Sequence, residues 1–433
     1  MKKVLLLIIT LIVAMTCGTL NVAYAETQND GNTSVDYKQD FAYTFIQEFT
    51  QKYPDRKAGI AVNDVWGSNL AEPTLQGYLR QKLVETSNGT IAAKDVTYQA
   101  FSITDINKGY NIQARLDKAG TDKQVIIGAH YDSDGNGAND NASGVAALLK
   151  VLSYLSKDVT KLSCDIVFVL FDGEELGMTG SYSYVGQMSE TEKENTLLMV
   201  NMDSIANGDN LYVWCENKHT DLADLILSKN GKLTEKPYAK GTYNIDSGNG
   251  YGYLEIPQNS DQTPFRIAGI PTALFFSGTY SSSPWNYAES TDPAKNSMNT
   301  SADTLENMDK YNGAEFIAKI NATADAICKT ILDENFVTVA TAQRSQLVNL
   351  KVLGNSWWAS LICGVVFIAV LVFGLLYYRK LQKGAILGTA EIKNNKVFST
   401  PDAEDIFSFD DKKSTDKKPS VEDIFTFDDK DKK

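Results

Sequence analysis

Histidine is almost missing from this chain: 433 residues hold two, His130 and His219. A metal centre here must take most of its ligands from carboxylates. Cysteine is also sparse, at five. Cys17 falls in a leader-like start and Cys363 in a long apolar run, leaving Cys164, Cys215 and Cys328 with no paired spacing. A disulfide framework is excluded, no single bridge is indicated, and the three read as small buried residues. Positive charge is in deficit, with 41 Lys and Arg against 54 Asp and Glu and a net charge of −13. That balance argues against nucleic acid as a partner, because its phosphates would be repelled. The apolar fraction of 43% is ordinary for a globular protein, and the length suits one large domain with appendages.

The two ends differ from the middle. Residues 1–25 read as a secretory signal: Lys2 and Lys3, an apolar Val4 to Val13, then Ala23-Tyr24-Ala25 as an A-x-A cleavage site. Ala14-Met15-Thr16 before Cys17 is a poor match to a lipidation signal. Trp357 to Leu376 is free of charges, and at about 1.5 Å per residue such a helix spans roughly 30 Å, a bilayer core. Trp357-Trp358 and Tyr377-Tyr378 mark its interfaces, and Arg379, Lys380 and Lys383 place the C-terminal side in the cytoplasm. The expected organisation is a signal peptide at 1–25, an extracellular domain at 26–345 (core about 37–335), a linker at 346–356, a transmembrane helix at 357–378 and a disordered cytoplasmic tail at 379–433. In that tail Glu404-Asp405-Ile406-Phe407-Ser408-Phe409-Asp410-Asp411-Lys412 recurs as Glu422-Asp423-Ile424-Phe425-Thr426-Phe427-Asp428-Asp429-Lys430. Two copies are too few for a solenoid. Each is a short acidic-aromatic patch, read either as a docking motif for a cytoplasmic partner or as a solvated duplication.

Within the outer domain, Phe41, Phe45 and Phe49 share a helical face, and Leu75 to Val84 reads as a second helix. Strand-like runs follow at Thr97 to Ile103, Tyr110 to Leu116 and Gln124 to Tyr131. A helix is expected from about Asp140, with Val145, Leu148, Leu149 and Leu152 on one face. Ile166 to Phe171 is continuously apolar, as in a strand buried on both faces. Leu197 to Met202, Tyr212 to Cys215 and Thr272 to Phe276 complete the strands, and Ala314 to Leu332 closes the domain as a helix. The alternation predicts an α/β fold, a three-layer α/β/α arrangement around a mixed sheet, with ligands at the C-terminal ends of the strands.

Three acidic features fall at those ends: His130 with Asp132 and Asp140, then Asp172-Gly173-Glu174-Glu175, then Asp203. Carboxylates there are costly unless solvated or paired with a cation. One shared divalent metal is the simplest account, and one His with several carboxylates suits zinc or a similar ion. His219 reads as a surface residue.

Gly128 to Ser133, Gly137 to Gly144, Phe171-Asp172-Gly173-Glu174-Glu175-x-Gly177-x-x-Gly180-Ser181 and Asn201-Met202-Asp203 together resemble the co-catalytic zinc aminopeptidases of the twenty-eighth metallopeptidase family. That family also includes secreted carboxypeptidases and glutaminyl cyclases. Tyr53 to Gly59, Asn111-Ile112, Ser260-Asp261-x-x-x-Phe265 and Gly269-Ile270-Pro271 extend the likeness over about residues 37 to 335. The resemblance implies that His130 and Asp203 bind one zinc, that Asp140 bridges to a second, and that Glu175 binds that second ion. It further implies that Glu174 is the general base and that Asp132 orients His130 from its far nitrogen. The family's last ligand, a histidine in a Tyr-His-Thr-x-x-Asp-Thr stretch, falls on Asn299 in Met298-Asn299-Thr300-Ser301-Ala302-Asp303-Thr304. An amide is a weaker zinc ligand than imidazole, so the second site is weakened and one or two ions are expected. The implied function is a membrane-anchored exopeptidase, chiefly an aminopeptidase acting on peptides outside the cell. The alternative is a peptidase-like binding module that Asn299 has disabled. A glutaminyl cyclase fits less well, since those enzymes keep the last histidine and drop the first.

Overall fold

The computed structural model describes residues 36–59, 74–103, 108–118, 120–215, 221–235, 239–241, 252–254, 259–280, 287–344, 368 and 371–380. Its first compact unit spans Met1–Asn355. The strands are β1 (Thr97–Ser102), β2 (Lys108–Leu116), β3 (Gln124–His130), β4 (Asp165–Phe171), β5 (Thr196–Met202), β6 (Asn210–Trp214), β7 (Leu233–Glu235), β8 (Ala239–Gly241), β9 (Gly252–Leu254), β10 (Thr272–Tyr280) and β11 (Tyr287–Ala288). The helices are α1 (Phe41–Lys52), α2 (Leu75–Thr86), α3 (Gly144–Leu155), α4 (Thr179–Gln187), α5 (Glu190–Asn195), α6 (Asp221–Leu227), α7 (Gln262–Ile267), α8 (Leu305–Asn312) and α9 (Ala314–Ile331).

The main sheet runs β1-β2-β4-β3-β5-β10-β6-β7, with β11 paired to β10, and β8 and β9 form a separate pair. The sheet is mixed. β4, β3, β5 and β10 run parallel in its centre, whereas β1, β2 and β6 join antiparallel. The apolar residues of β3 and β4 divide between its two faces, as the period of two requires. Val125, Ile127, Ile166, Phe168 and Leu170 join the core with Phe45, Phe49, Leu79, Leu148, Leu152, Ile320 and Ile327, from α1, α2, α3 and α9. Ile126, Val167, Val169 and Phe171 face Tyr184, Val185 and Phe265, from α4 and α7. That is the expected three-layer α/β/α arrangement. Cys164, Cys215 and Cys328 are buried free thiols.

One boundary needs correcting. The regular helix does not begin at Asp140 but at Gly144. Ala138–Ser143 is irregular, with Asp140 at φ −108°, ψ 89° and Asn141 at φ −136°, ψ 41°. The backbone turns Asp140 out of the helix because its amide has an acceptor elsewhere, described below.

The second unit, Ser356–Lys433, is described at Ile368 and as a helix over 371–380, whose Leu371, Val372, Phe373, Leu375 and Leu376 side chains are exposed. Among the described residues no helix is long and apolar enough to cross a membrane. The leader-like start, most of the apolar run at 357–378, the duplicated tail motif and His219 lie outside the described residues.

Candidate metal centre and active site

The sheet order brings the acidic features together before any side-chain detail is considered. β3 lies between β4 and β5, parallel to both. His130 is opposite Phe171 at the C-terminal end of the β3–β4 ladder, and Tyr131 N continues it to Phe171 O at 2.9 Å. Asp132, Asp172 to Glu175 and Asp203 therefore leave the same edge of three adjacent strands.

His130, Asp140 and Asp203 form a cluster whose ligand atoms all lie within 4.8 Å of one another. His130 Nε2 is 3.1 Å from Asp140 Oδ1 and 3.5 Å from Asp203 Oδ1. It is fully buried and lacks a hydrogen bond of proper geometry to either. A buried nitrogen aimed between two carboxylates without bonding to them is the arrangement of ligands converging on a common cation. Asp203 is held from behind, with Oδ2 accepting from Ser260 Oγ at 2.6 Å and Oδ1 from Ser204 Oγ at 3.0 Å.

The other ring nitrogen, Nδ1, lies 3.1 Å from the backbone oxygen of Asp132 and 3.4 Å from its Oδ1. Asp132 lies against the far nitrogen of His130. The backbone carbonyl is the nearer partner, and the carboxylate accepts from Glu174 N at 3.2 Å and Glu175 N at 3.1 Å. Asp132 thus fixes the imidazole and the glutamate pair at once.

Asn299 sits beside Glu175. Its side-chain oxygen faces the carboxylate, and only with the amide reversed would its nitrogen donate to Oε1 at 3.1 Å and Oε2 at 3.3 Å. Glu175 Oε1 also accepts from Asp134 N at 3.3 Å. Asn299 lines an open cleft of ≈ 460 Å³ together with Asp55, Lys57, Asp134 and Ser301.

The electrostatics are those of a crowded acidic site. Burial pushes the Glu174 carboxyl up to about 10, and Glu175 up to about 7, with Asp140 adding to the latter. Asp140 is raised by burial and by Asp203. Burial also raises Asp203, but the nearby His130 charge and the hydrogen bonds from Ser260 and Ser204 outweigh it, leaving a net lowering. Burial disfavours the His130 imidazolium, yet Asp203, Asp132 and Asp140 overcome it and raise the imidazole well above its ordinary value. Such carboxylates hold protons for want of positive charge, and a divalent cation supplies it.

Several residues that position this site escaped the sequence reading as functional groups. Asp303 is fully buried, and its Oδ1 and Oδ2 accept from Asn139 N at 2.7 Å and Asp140 N at 2.9 Å. Glu289 accepts from Met298 N at 2.7 Å and from the backbone amide of Ser297, which anchors the segment that carries Asn299. The Arg56 guanidinium, 1% exposed, donates to Tyr131 O and Asn136 O at 2.8 Å, Gly137 O at 2.9 Å and Tyr53 O at 3.2 Å. Gly137 has φ 57°, and a Cβ there would collide with Asp140 O, Ser133 and Arg56. Asp261 is buried with neither carboxylate oxygen hydrogen-bonded, and burial pushes it up to about 7. The motif around Asp303 was visible in sequence, but nothing in it showed that the carboxylate reaches back to residue 140.

Comparison with known proteins places this geometry in context. Residues 111–323 match the model of peptidase family M28. The alkaline phosphatase isozyme conversion protein of Escherichia coli (strain K12) is 30% identical over 40% of this chain and 53% of its own length. Aminopeptidase YwaD of Bacillus subtilis (strain 168) is 32% identical over 37% of this chain and 34% of its own. BSAP, a zinc aminopeptidase from Bacillus subtilis, superposes with a TM-score of 0.41 at 22% identity, covering 53% of this chain and 52% of that one. The chain spans about half or less of the length of the curated relatives it matches.

Proposed function

We propose that this chain, whose residues 111–323 match the model of peptidase family M28, is a zinc-dependent exopeptidase of the aminopeptidase type. One observation carries the reading: His130 Nε2 is buried without a hydrogen bond, between Asp140 and Asp203. One imidazole and two carboxylates form a donor set that suits zinc. His130, Asp140 and Asp203 would hold the ion. When bound there, zinc supplies Lewis acidity to a peptide carbonyl and to water.

The protein's own groups do the rest. Glu174 leaves the same strand edge as the ligands, on a backbone pinned by Asp132. Its carboxylate takes a proton from the attacking water and delivers it to the departing amine as the C–N bond breaks. Burial works against that role by keeping Glu174 protonated; positive charge beside it draws the group back into the range of a usable base. Ser260 and Ser204 keep Asp203 aligned, and Asp132 keeps the imidazole from rotating.

The domain acts outside the cell, tethered by the apolar run at 357–378. Support comes from the signal-like residues 1–25, the charge-free Trp357 to Leu376 and the basic cluster after it. The tail repeat fits a duplicated docking motif for a cytoplasmic protein.

The test is turnover of a panel of N-terminal amino-acid amides and short peptides by the full-length protein in detergent, with zinc supplied. Hydrolysis from the N-terminus is expected, lost on chelation and in Glu174→Gln with metal still bound in that variant. Zinc bound at the site with no turnover of any substrate at saturating zinc, cobalt or manganese would sink the enzyme reading and leave a peptidase-like binding module.

A further inference from the structure

We propose that Glu289 is a positioning residue for the metal site: its carboxylate holds the side chain of Asn139, and through it the spacing between Asp140 and Asp203. The proposal rests on the metal-site reading above and names what keeps two of its ligands in register.

Asp140 and Asp203 come from different segments, the irregular turn before α3 and the loop after β5. The residues on either side of Asp140 grip that loop. Asn141 Oδ1 accepts from Ser204 N at 3.2 Å. Asn139 Oδ1 accepts from Ala206 N at 2.9 Å and from Asn207 N at 3.0 Å. With its oxygen committed to two backbone amides, the Asn139 side chain must present its NH2 group on the other side. There it donates to Glu289 Oε1 at 3.2 Å. Asn139 is fully buried, so leaving that nitrogen without a partner would be costly.

Glu289 directly follows β11 and is itself buried. Four donors meet it. Oε1 also accepts from Asn207 Nδ2 at 3.1 Å, and Oε2 accepts from Met298 N at 2.7 Å and from the Ser297 amide. A carboxylate offers two acceptor oxygens and no donor, which is what four donors require. One group therefore joins the turn that carries Asp140, the loop that follows Asp203 and the segment that carries Asn299. Glu289 is not one of the ligands; it acts through Asn139. A glutamine in its place keeps the shape but sets an NH2 group against two donors. The Ser297 and Met298 amides are backbone and cannot turn away, so the NH2 group falls on the Asn139 and Asn207 side. Asn207 Nδ2 keeps Lys295 O and Ser297 Oγ as acceptors. Asn139 has no such reserve: if it reverses to meet the glutamine, its own NH2 is set against the Ala206 and Asn207 amides and the grip is lost.

The experiment titrates the full-length protein in detergent with cobalt(II), whose visible absorption reports the geometry of its ligands, and measures zinc affinity by competition with a chelator. Glu289→Gln is expected to bind zinc about 10–100-fold more weakly than the native protein, with an altered cobalt spectrum. Asn207→Ala removes one donor to Oε1 and leaves the Ser297 and Met298 bonds in place. It should shift the spectrum in the same direction by less, and it decides the matter if Glu289→Gln does not fold. Asn88→Ala is the control. It loses hydrogen bonds to Ser153 O and Ser156 Oγ at the far end of α3, so it should lower the thermal midpoint yet keep the native spectrum and affinity. A folded Glu289→Gln protein with the native spectrum and an affinity within about twofold of native overturns the proposal. So does an Asn88→Ala protein that loses as much affinity, because lowered stability alone would then move the site. A native protein that takes up no cobalt refutes the metal-site reading itself, and the proposal with it. Peptide hydrolysis plays no part in the readout.

Discussion

Asp303→Asn is the most informative single change in this structure. The native carboxylate accepts two backbone N–H groups, from Asn139 at 2.7 Å and from Asp140 at 2.9 Å, in a fully buried position. The amide has nearly the same shape but one acceptor oxygen. Whichever way it turns, one backbone N–H keeps a partner and the other meets an NH2 group, donor against donor. A hydrogen bond to a charged group is worth about 1.5–3 kcal/mol, and a buried donor left without a partner costs about 1–3 kcal/mol. Because the two figures describe one lost bond, we expect a destabilisation of about 3 kcal/mol. At about 1.4 kcal/mol per decade this is roughly a hundredfold in the folding equilibrium. The affected peptide carries Asp140, so the metal site should loosen as well. Changes to groups that orient metal ligands typically cost about 10–100-fold in affinity. Urea unfolding of the metal-free protein reads the first effect, and competition with a chelator of known affinity reads the second. A folded Asp303→Asn protein that binds zinc within about twofold of the native affinity would refute the claim that Asp303 positions Asp140.

Other expectations follow from the same frame. Arg56→Lys replaces a planar fork serving four carbonyls with a single ammonium, and should cost about 3 kcal/mol; a thermal midpoint unchanged from the native value would show that water satisfies those carbonyls instead. Gly144→Ala drives a methyl into Asn141 Oδ1 and Met202 O, and should destabilise the fold by about 1–3 kcal/mol in denaturant titration, with no effect counting against the packing described. Lys319, buried against the Ala206 and Gly208 carbonyls, is lowered by burial to about 8. The unfolded chain therefore binds more protons than the folded one between pH 8 and about 10.5, and the native protein should gain stability over that interval relative to Lys319→Met. A stability difference between the two that is flat from pH 7 to pH 10.5 would mean the lysine is solvated.

The sequence made the central strands legible because they are buried on both faces. Ile166 to Phe171 and Leu197 to Met202 are continuous apolar runs, and both became strands within a residue of the expected ends. His130 and Asp203 of the candidate metal cluster were legible for a related reason, since polar residues at the ends of such strands stand out. What stayed hidden is the long-range hydrogen bonding. Arg56, Glu289 and Asp303 are ordinary charged residues in sequence, and their role comes from carbonyls and amides that lie far away along the chain. The helix expected from Asp140 failed for the same reason. Local pattern favours helix there, but Asp303 accepts the Asp140 amide, and the regular helix waits until Gly144. The short helices α4, α5, α6, α7 and α8 were also missed, having too few turns to show a clear period.

The closure of Asp303 onto the Asn139 and Asp140 amides also bears on the protein's synthesis. The parts of one small site are spread along the chain from Arg56 to Asp303, and the residue that fixes Asp140 is made long after Asp140 itself. A nascent chain that has reached residue 300 owns His130, Asp140 and Asp203 yet lacks the clamp that sets their geometry. The geometry around Asp140 is therefore expected to set only once Asp303 is available.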